Sequence, residues 1–175
     1  MERARFIVCL FSTALAFGAD SGKALRPRLD QTQYAVAVFD ESLAVAAELV
    51  PAHQVRKQFG PEVDSDYLVV EVGIYPRDRR PIEVRQGDFN LRVNRTRDIL
   101  TPQGPKAILE VRESLRPVAL ELSAKSLPET SAYKPVAGYL YFAVSDKREG
   151  NYEYELEYKG QGAWMILPLQ QASRR

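Results

Sequence analysis

The sequence predicts an all-β domain, an antiparallel β-sandwich with one or two short helices. Apolar residues alternate with polar ones over residues 88–94 and 152–158, and a period of two is typical of strands with one face in water. Turn signals such as residues 86–88 and 160–162 recur at short intervals along the chain. Such short connections favour antiparallel hairpins over βαβ units.

The chain begins with the features of a cleavable signal peptide in their usual order. Two arginines precede an apolar run over residues 6–17, and small residues follow it. This run is shorter than the ~20 residues that a membrane-spanning helix needs. We therefore interpret residues 1–19 as a signal peptide, cleaved after Ala16 or up to three residues later. Residues 20–175 are then a single exported domain, periplasmic or secreted, that does not span the membrane.

Charge and cysteine content exclude several classes of protein. The formal net charge of +1 falls to 0 when the predicted signal peptide is removed, so the mature chain lacks the basic footprint that nucleic-acid binding requires. Cys9 is the sole cysteine and lies inside the apolar run. The mature domain is therefore predicted to contain no disulfide and to use no thiol chemistry. The position of Cys9 also argues against a lipid-modified cysteine.

The first elements of the mature chain are predicted to be a hairpin and a short helix. Residues 33–39 and 43–49 fit helix and strand about equally, and we favour a hairpin that turns at residues 40–42. Residues 52–59 are followed by Gly60. A glycine in that position is typical of a helix C-cap, so we expect two helical turns there.

The central and C-terminal elements are predicted to be strands joined by loops. Residues 67–75 and 138–144 carry apolar side chains on both faces, which is typical of strands at the centre of a sheet. Residues 101–135 contain five prolines, so much of this region is expected to be loop with edge-strand pieces. Residues 105–115 are a candidate second helix, and their apolar residues fit helix and strand about equally. Residues 164–169 are predicted to form the last strand.

Several segments resemble a known family of exported domains. Residues 66–72 have the pattern of a strand. They are followed by a turn, a short strand and a further strand that begins with Asp-Phe. The C-terminal part of the chain contains, in order, a Gly-Tyr-Leu-Tyr-Phe strand, a Tyr-Glu-Leu-Glu-Tyr strand and the sequence Leu-Pro-Leu. This order resembles bacterial exported immunoglobulin-like domains exemplified by the secreted mycobacterial immunogenic antigen. The resemblance implies an immunoglobulin-like sandwich and an envelope location, and it implies no activity. These motifs stand at residues 66–72, 81–84, 87–91, 138–142, 154–158 and 167–169.

Candidate catalytic and metal-binding residues are few. His53 is the only histidine, so a metal site or a Ser-His-Asp triad would depend on this residue alone. We interpret it as a solvated helix residue. Glu153, Glu155 and Glu157 are expected to share the outward face of one strand, where carboxylates lack the burial that raises the pKa of a catalytic acid. The sequence therefore predicts no catalytic residue, no cofactor site and no metal site.

Trp164 is predicted to be a core residue. With Phe142, Tyr154 and Leu156 it is expected to fill the space between sequential strands, where truncation of a large aromatic side chain costs about 3–5 kcal/mol. If Trp164 is exposed instead, it becomes the leading candidate for a ligand-binding aromatic residue.

A run of arginines is the one candidate partner-binding site. All the basic residues between positions 77 and 97 are arginine, and they outnumber the aspartates and glutamates of this segment by four. Arginine suits bidentate contacts to carboxylate or phosphate groups of an anionic envelope component or an acidic protein. The alternative is that these arginines form cross-strand ion pairs with the glutamates at 153, 155 and 157. The arginines concerned are Arg77, Arg79, Arg80, Arg85, Arg92, Arg95 and Arg97.

These observations favour a non-catalytic binding or scaffolding module of the bacterial cell envelope. The partner would be a protein or an anionic envelope component. The alternative is an extracytoplasmic enzyme of unrecognised type that uses surface carboxylates and tyrosines. A pocket of about 300 Å³ or more, lined by converging buried titratable groups, would favour the enzyme.

Overall fold

The computed structural model describes residues 23–78, 80–94, 96–144 and 153–170. The predicted signal peptide, Arg79 and Arg95 lie outside the described residues. The strands are β1 (Val36–Phe39), β2 (Leu43–Leu49), β3 (Tyr67–Pro76), β4 (Ile82–Val84), β5 (Phe89–Val93), β6 (Asp98–Leu100), β7 (Thr130–Ala132), β8 (Val136–Ala143), β9 (Glu153–Gly160) and β10 (Ala163–Gln170). The helices are α1 (Ala52–Phe59), α2 (Pro61–Asp66), α3 (Pro105–Val111) and α4 (Ala119–Lys125), with 3₁₀ turns at Gln31–Gln33, Gln86–Asp88 and Glu113–Val118.

Two four-stranded antiparallel sheets pack face to face. The first sheet has the order β1-β2-β3-β8, the second has the order β10-β9-β5-β6, and β4 and β7 form a small two-stranded sheet. The main core lies between the two large sheets and takes alternate residues from their strands. The predicted antiparallel β architecture is confirmed, although the described residues are mostly β rather than all-β.

The helices cover the outer face of the first sheet. Tyr139 and Tyr141 of β8 point away from the main core, and the ring of Phe59 in α1 meets both of them edge-on at 6.0 and 5.9 Å. This second core also takes in buried residues of α2, α3 and α4. Strands that are apolar on both faces need cover on both sides. The order of layers is therefore helices, first sheet and second sheet.

The expectation of one or two helices is wrong, and residues 101–135 hold more helix than expected, although the helix considered for residues 105–115 is present as α3 and an edge-strand piece as β7. The described residues hold four α-helices, two of them in this segment. Pro105 occupies the first turn of α3, where the missing N–H costs nothing, so proline there begins a helix. Ile108 of α3, Leu115 of the following 3₁₀ turn and Leu122 of α4 are all buried in the second core.

The hairpin and the first helix are confirmed. β1 and β2 pair antiparallel, and the Asp40 carboxylate accepts hydrogen bonds from the backbone N–H groups of Ser42 and Leu43 at 2.7 and 2.9 Å. An Asp side chain that bonds the backbone in this way stabilises a tight turn. Helix α1 ends at Gly60, whose φ of +92° is one that a side chain would disfavour.

The expectation that both doubly apolar segments lie at sheet centres is half confirmed. β3 lies between β2 and β8, whereas β8 ends the order of the first sheet. Its outer edge is covered by irregular backbone, because the N–H groups of Leu127 and Gln103 donate to the carbonyls of Tyr139 and Tyr141 at 3.0 and 2.8 Å. Cover of this kind protects a sheet edge from pairing with another chain.

The expected core position of Trp164 is wrong. The β9–β10 turn consists of Gln161 and Gly162, both with positive φ, and it pairs Ala163 with Gly160. A two-residue turn of this kind sets the register of a hairpin, and a shift of one residue exchanges the two faces of a strand. In the register that forms, Met165 and its alternate neighbours are buried, and Trp164 is 67% exposed.

Candidate functional site

An open groove of about 560 Å³ lies at the β9–β10 turn. Residues 159–164 of the hairpin form one side of it, and Arg85 and Asp88, at the two ends of a 3₁₀ turn, form the other. The strand register explains why these segments meet. Phe89, the first residue of β5, pairs with Tyr158 of β9, so the residues that precede β5 lie beside the end of β9.

Trp164 is the most exposed aromatic side chain of the groove. It stands directly opposite Lys159 in the hairpin, and the Lys159 ammonium lies 5.5 Å from the centroid of the indole ring. The same ammonium is 2.9 Å from a carboxylate oxygen of Glu157. Lys159 is therefore held by an ion pair on one side and a cation–π contact on the other, while most of the indole surface remains in contact with water.

The floor of the groove depends on Gly160. A Cβ atom at this position would lie 2.5 Å from the Tyr158 hydroxyl oxygen and 2.7 Å from Oδ2 of Asp88. Burial raises the pKa of the Asp88 carboxyl, against the opposing effect of Arg85. Burial also raises the pKa of Tyr158 to about 12, with a smaller contribution from the charge of Asp88. Only glycine leaves room for both polar groups at this position.

The Tyr158 hydroxyl is buried and has no hydrogen-bond partner among the described residues. A buried hydroxyl without a partner costs about 1–3 kcal/mol of desolvation. We therefore expect Tyr158→Phe to leave the free energy of unfolding unchanged or to raise it by about 1 kcal/mol, as measured by urea denaturation. A loss of more than 1 kcal/mol would show that the hydroxyl has a partner after all.

The predicted arginine site is divided by the fold. Arg85 lies in the groove. Arg77 and Arg80 follow β3, at the same end of the first sheet as the β1–β2 turn, since the Arg77 N–H donates to the carbonyl of Ser42 at 2.8 Å. Arg97 lies in the β5–β6 turn, which the pairing of β5 with β9 places at the opposite end of the second sheet from the groove.

Two of these arginines are engaged with neighbours at the sheet end. The Arg77 guanidinium donates to the carbonyl of Asp40 at 2.8 Å and lies 5.0 Å from the centroid of the Phe39 ring. Arg80 lies 3.6 Å from Asp78. Arg85 forms no salt bridge with any residue that the structure describes, and it is the arginine of this segment that lines the groove.

The alternative of cross-strand ion pairs is confirmed for Arg92. Its guanidinium contacts Glu157 of the neighbouring strand, and Lys159 contacts the same carboxylate. The expectation that Glu157 is a solvated surface residue is wrong, because these two side chains cover it and leave it 2% exposed. Hydrogen bonds from Lys159 and Arg92 lower the pKa of Glu157, which is the opposite of what a general acid needs.

A second ionic cluster lies on the outer face of the first sheet. Arg28 donates from Nε and Nη2 to the two oxygens of Glu71, both at 3.1 Å, and it also contacts Glu48. The guanidinium lies 4.2 Å from the centroid of the Tyr34 ring, and Tyr75 donates its hydroxyl to the Arg28 carbonyl at 2.9 Å. These contacts hold the segment before β1 against the sheet.

Sequence reasoning missed this ionic cluster, although one signal was available. Glu71 interrupts the apolar side of a strand that was expected to be buried on both faces, and a buried carboxylate needs a charged or hydrogen-bonding partner. The structure leaves Glu71 2% exposed. The charged groups of this cluster pair with one another, so we assign the cluster a structural role.

The described residues offer little to a metal ion. No group of three histidine, cysteine or carboxylate side chains among them could hold one, and His53 is exposed on α1 as expected. Within the described ranges, no helix combines the length and the apolar character that a membrane span requires.

Comparison with known proteins identifies no family. No family model matches the chain, and no curated protein matches it. Two solved structures from Bacillus subtilis are similar in part. YcdA, a candidate lipoprotein, has a TM-score of 0.46 and 17% identity over 77% of this chain and 38% of YcdA, so the chain spans well under half of that protein. YjhA has a TM-score of 0.46 and 14% identity over 79% of this chain and 98% of YjhA.

Proposed function

We propose that the chain is a non-catalytic exported binding module whose ligand site is the groove around Trp164. The exposed indole ring carries this proposal. Every second residue of β10 is buried in the core, yet the largest side chain of the strand faces water beside two cations. An indole ring offers a large flat apolar surface together with a polar N–H, which suits it to contact a ligand in a groove.

The electrostatics of the groove favour binding over catalysis. Its volume exceeds the threshold that would suit an enzyme, but its titratable side chains are only Arg85, Asp88 and Lys159. Burial raises the pKa of Asp88, whereas hydrogen bonds from Lys159 and Arg92 lower the pKa of the nearby Glu157. An enzyme acting through surface carboxylates would need two of them in one site, and Asp88 is the only carboxylate among the described residues that line this groove, since Lys159 and Arg92 cover Glu157. The alternative of an enzyme has less support.

The compartment and the family are part of the same proposal. Residues 1–19 support export to the periplasm or the exterior. The motifs at residues 66–72 and 138–142 support a relation to the exported immunoglobulin-like domains. The proposed module would present a groove at one end of its second sheet to a component of the bacterial envelope.

Tryptophan fluorescence tests the proposed site directly, because Trp164 is the only tryptophan of the chain. The exported protein would be titrated separately with the polysaccharide, lipid and protein fractions of a bacterial envelope. We expect one fraction to change the emission of Trp164 in a saturable manner. Occupation of the groove changes the solvent contact of the indole, so the signal reports this site and no other.

A matched pair of variants controls this experiment. Arg85→Ser removes a cation from the groove, whereas Arg116→Ser removes an exposed arginine from the helical layer beyond the first sheet. Arg85→Ser should weaken the saturable change by about tenfold, and Arg116→Ser should leave it unchanged. The proposal fails if no fraction alters the emission, or if the two variants behave alike.

A further inference from the structure

We infer that the ligand of the Trp164 groove is an acidic saccharide, a sugar unit that carries a carboxylate or a phosphate. This inference rests on the proposed function and names the ligand class of the same site. It combines the size of the groove, the flat aromatic surface in it and the sign of its charges.

The size of the groove suits a small ligand. The groove is open to solvent, and its volume of about 560 Å³ leaves room for a ligand of one or a few rings. A stable protein partner buries about 800 Å² on each side, around a core of large apolar side chains. Trp164 is the one large apolar side chain in the lining of this groove. A ligand of one or a few rings therefore fits better than a protein surface.

The chemistry of the lining suits a sugar. A pyranose ring has an apolar face of C–H groups and a rim of hydroxyls, so it can stack on an indole ring through dispersion contacts while its rim meets polar groups. Asp88 supplies carboxylate oxygens that accept from sugar hydroxyls, and Gln161 supplies an exposed amide at the turn. Both lie in the same lining as Trp164.

The charges of the lining suit an anionic sugar. Among the described residues, the lining contains two cations, Arg85 and Lys159, and one carboxylate, that of Asp88. The Lys159 ammonium is positioned by Glu157 at 2.9 Å, whereas the guanidinium of Arg85 has no salt bridge to a described residue. A planar guanidinium presents paired N–H donors that match the oxygens of a carboxylate or a phosphate. Arg85 is therefore assigned to the acidic group and Trp164 to the ring face.

Titration of Trp164 emission with defined ligands tests the inference. The probes are oligogalacturonate as the carboxylate form, a phosphate-linked sugar oligomer as the phosphate form, maltohexaose as a neutral sugar, and oligoglutamate as an acidic peptide. We expect one of the two acidic saccharides to bind at least tenfold more tightly than maltohexaose. Its affinity should fall with added salt, and Arg85→Ser should reduce it to the level of the neutral sugar. Arg116→Ser should not change it.

The outcomes separate this inference from the proposed function. If maltohexaose or oligoglutamate binds as tightly as both acidic saccharides, or if only the lipid or protein fraction of the envelope changes the emission, the ligand class is wrong and the groove remains a binding site. If neither the defined ligands nor the envelope fractions change the emission, both proposals are overturned. An unfolding midpoint of Arg85→Ser equal to that of the unaltered protein establishes that lost binding is not lost folding.

Discussion

Replacing Arg28 with alanine is expected to lower the free energy of unfolding by about 3–5 kcal/mol at pH 7, because it leaves a carboxylate buried without its counter-ion. Arg28 binds both oxygens of Glu71, and Glu71 has almost no contact with water. Glu48 cannot replace the lost charge, since it is itself a carboxylate. Urea denaturation of the two proteins measures the difference.

The cost of Arg28→Ala should depend on pH in a defined direction. Burial raises the pKa of Glu71 in the folded protein, and Arg28 opposes this rise. Without Arg28 the folded-state pKa of Glu71 rises further, so the folded variant binds a proton more tightly than the unfolded chain does. A glutamate in the unfolded chain has a pKa of about 4.3. The free energy of unfolding of the variant therefore falls as the pH rises from that value through the higher pKa of Glu71 in the folded variant. The variant should therefore be destabilised less at pH 4 than at pH 7.

Two further variants make this prediction specific. Adding Glu71→Gln to Arg28→Ala removes the buried charge and should recover more than about 1 kcal/mol at pH 7. Arg116→Ala, an exposed arginine in an i,i+3 pair, should change stability by less than about 0.5 kcal/mol. A cost for Arg28→Ala below 1 kcal/mol at both pH values would contradict the docking of the segment before β1 on the first sheet.

Two residues on opposite faces of β10 are expected to differ greatly in their effect on stability. Leu167 is fully buried between the sheets, so Leu167→Ala should cost about 2–5 kcal/mol through lost burial and the cavity left behind. Trp164 faces outward, so Trp164→Ala should cost less than about 1 kcal/mol although the side chain removed is much larger. Chemical denaturation of both variants measures the two losses.

The same pair of variants tests the register of the β9–β10 hairpin. Equal costs, or a larger cost for Trp164→Ala, would mean that the strand presents its other face to the core. Ile166→Ser is a matched control because Ile166 is partly exposed on the same outer face as Trp164. It should resemble Trp164→Ala in stability and leave the groove intact.

The candidate site was only partly predictable. Arg85 was expected to belong to a charged, partner-binding segment, and it lies in the groove. Trp164 was expected in the core, because alternation identifies a strand without saying which of two apolar faces turns inward. Both faces of this strand carry apolar residues, and the two-residue turn at Gln161 decided between them. Arg97, in contrast, was grouped with Arg85 by sequence distance and lies at the other end of the sheet.

The sequence by itself determined the local structure of this protein: the turn at Asp40, the helix that stops at Gly60, and strands wherever apolar and polar residues alternate. These features depend on interactions within a few residues, so they can be deduced from a short window of sequence. Only the tertiary structure decided that helices cover the first sheet, that Arg28 meets Glu71, and that Arg85 and Trp164 share a groove. Each of these depends on the register and packing of segments that are distant in the chain, and local pattern carries no information about such pairings.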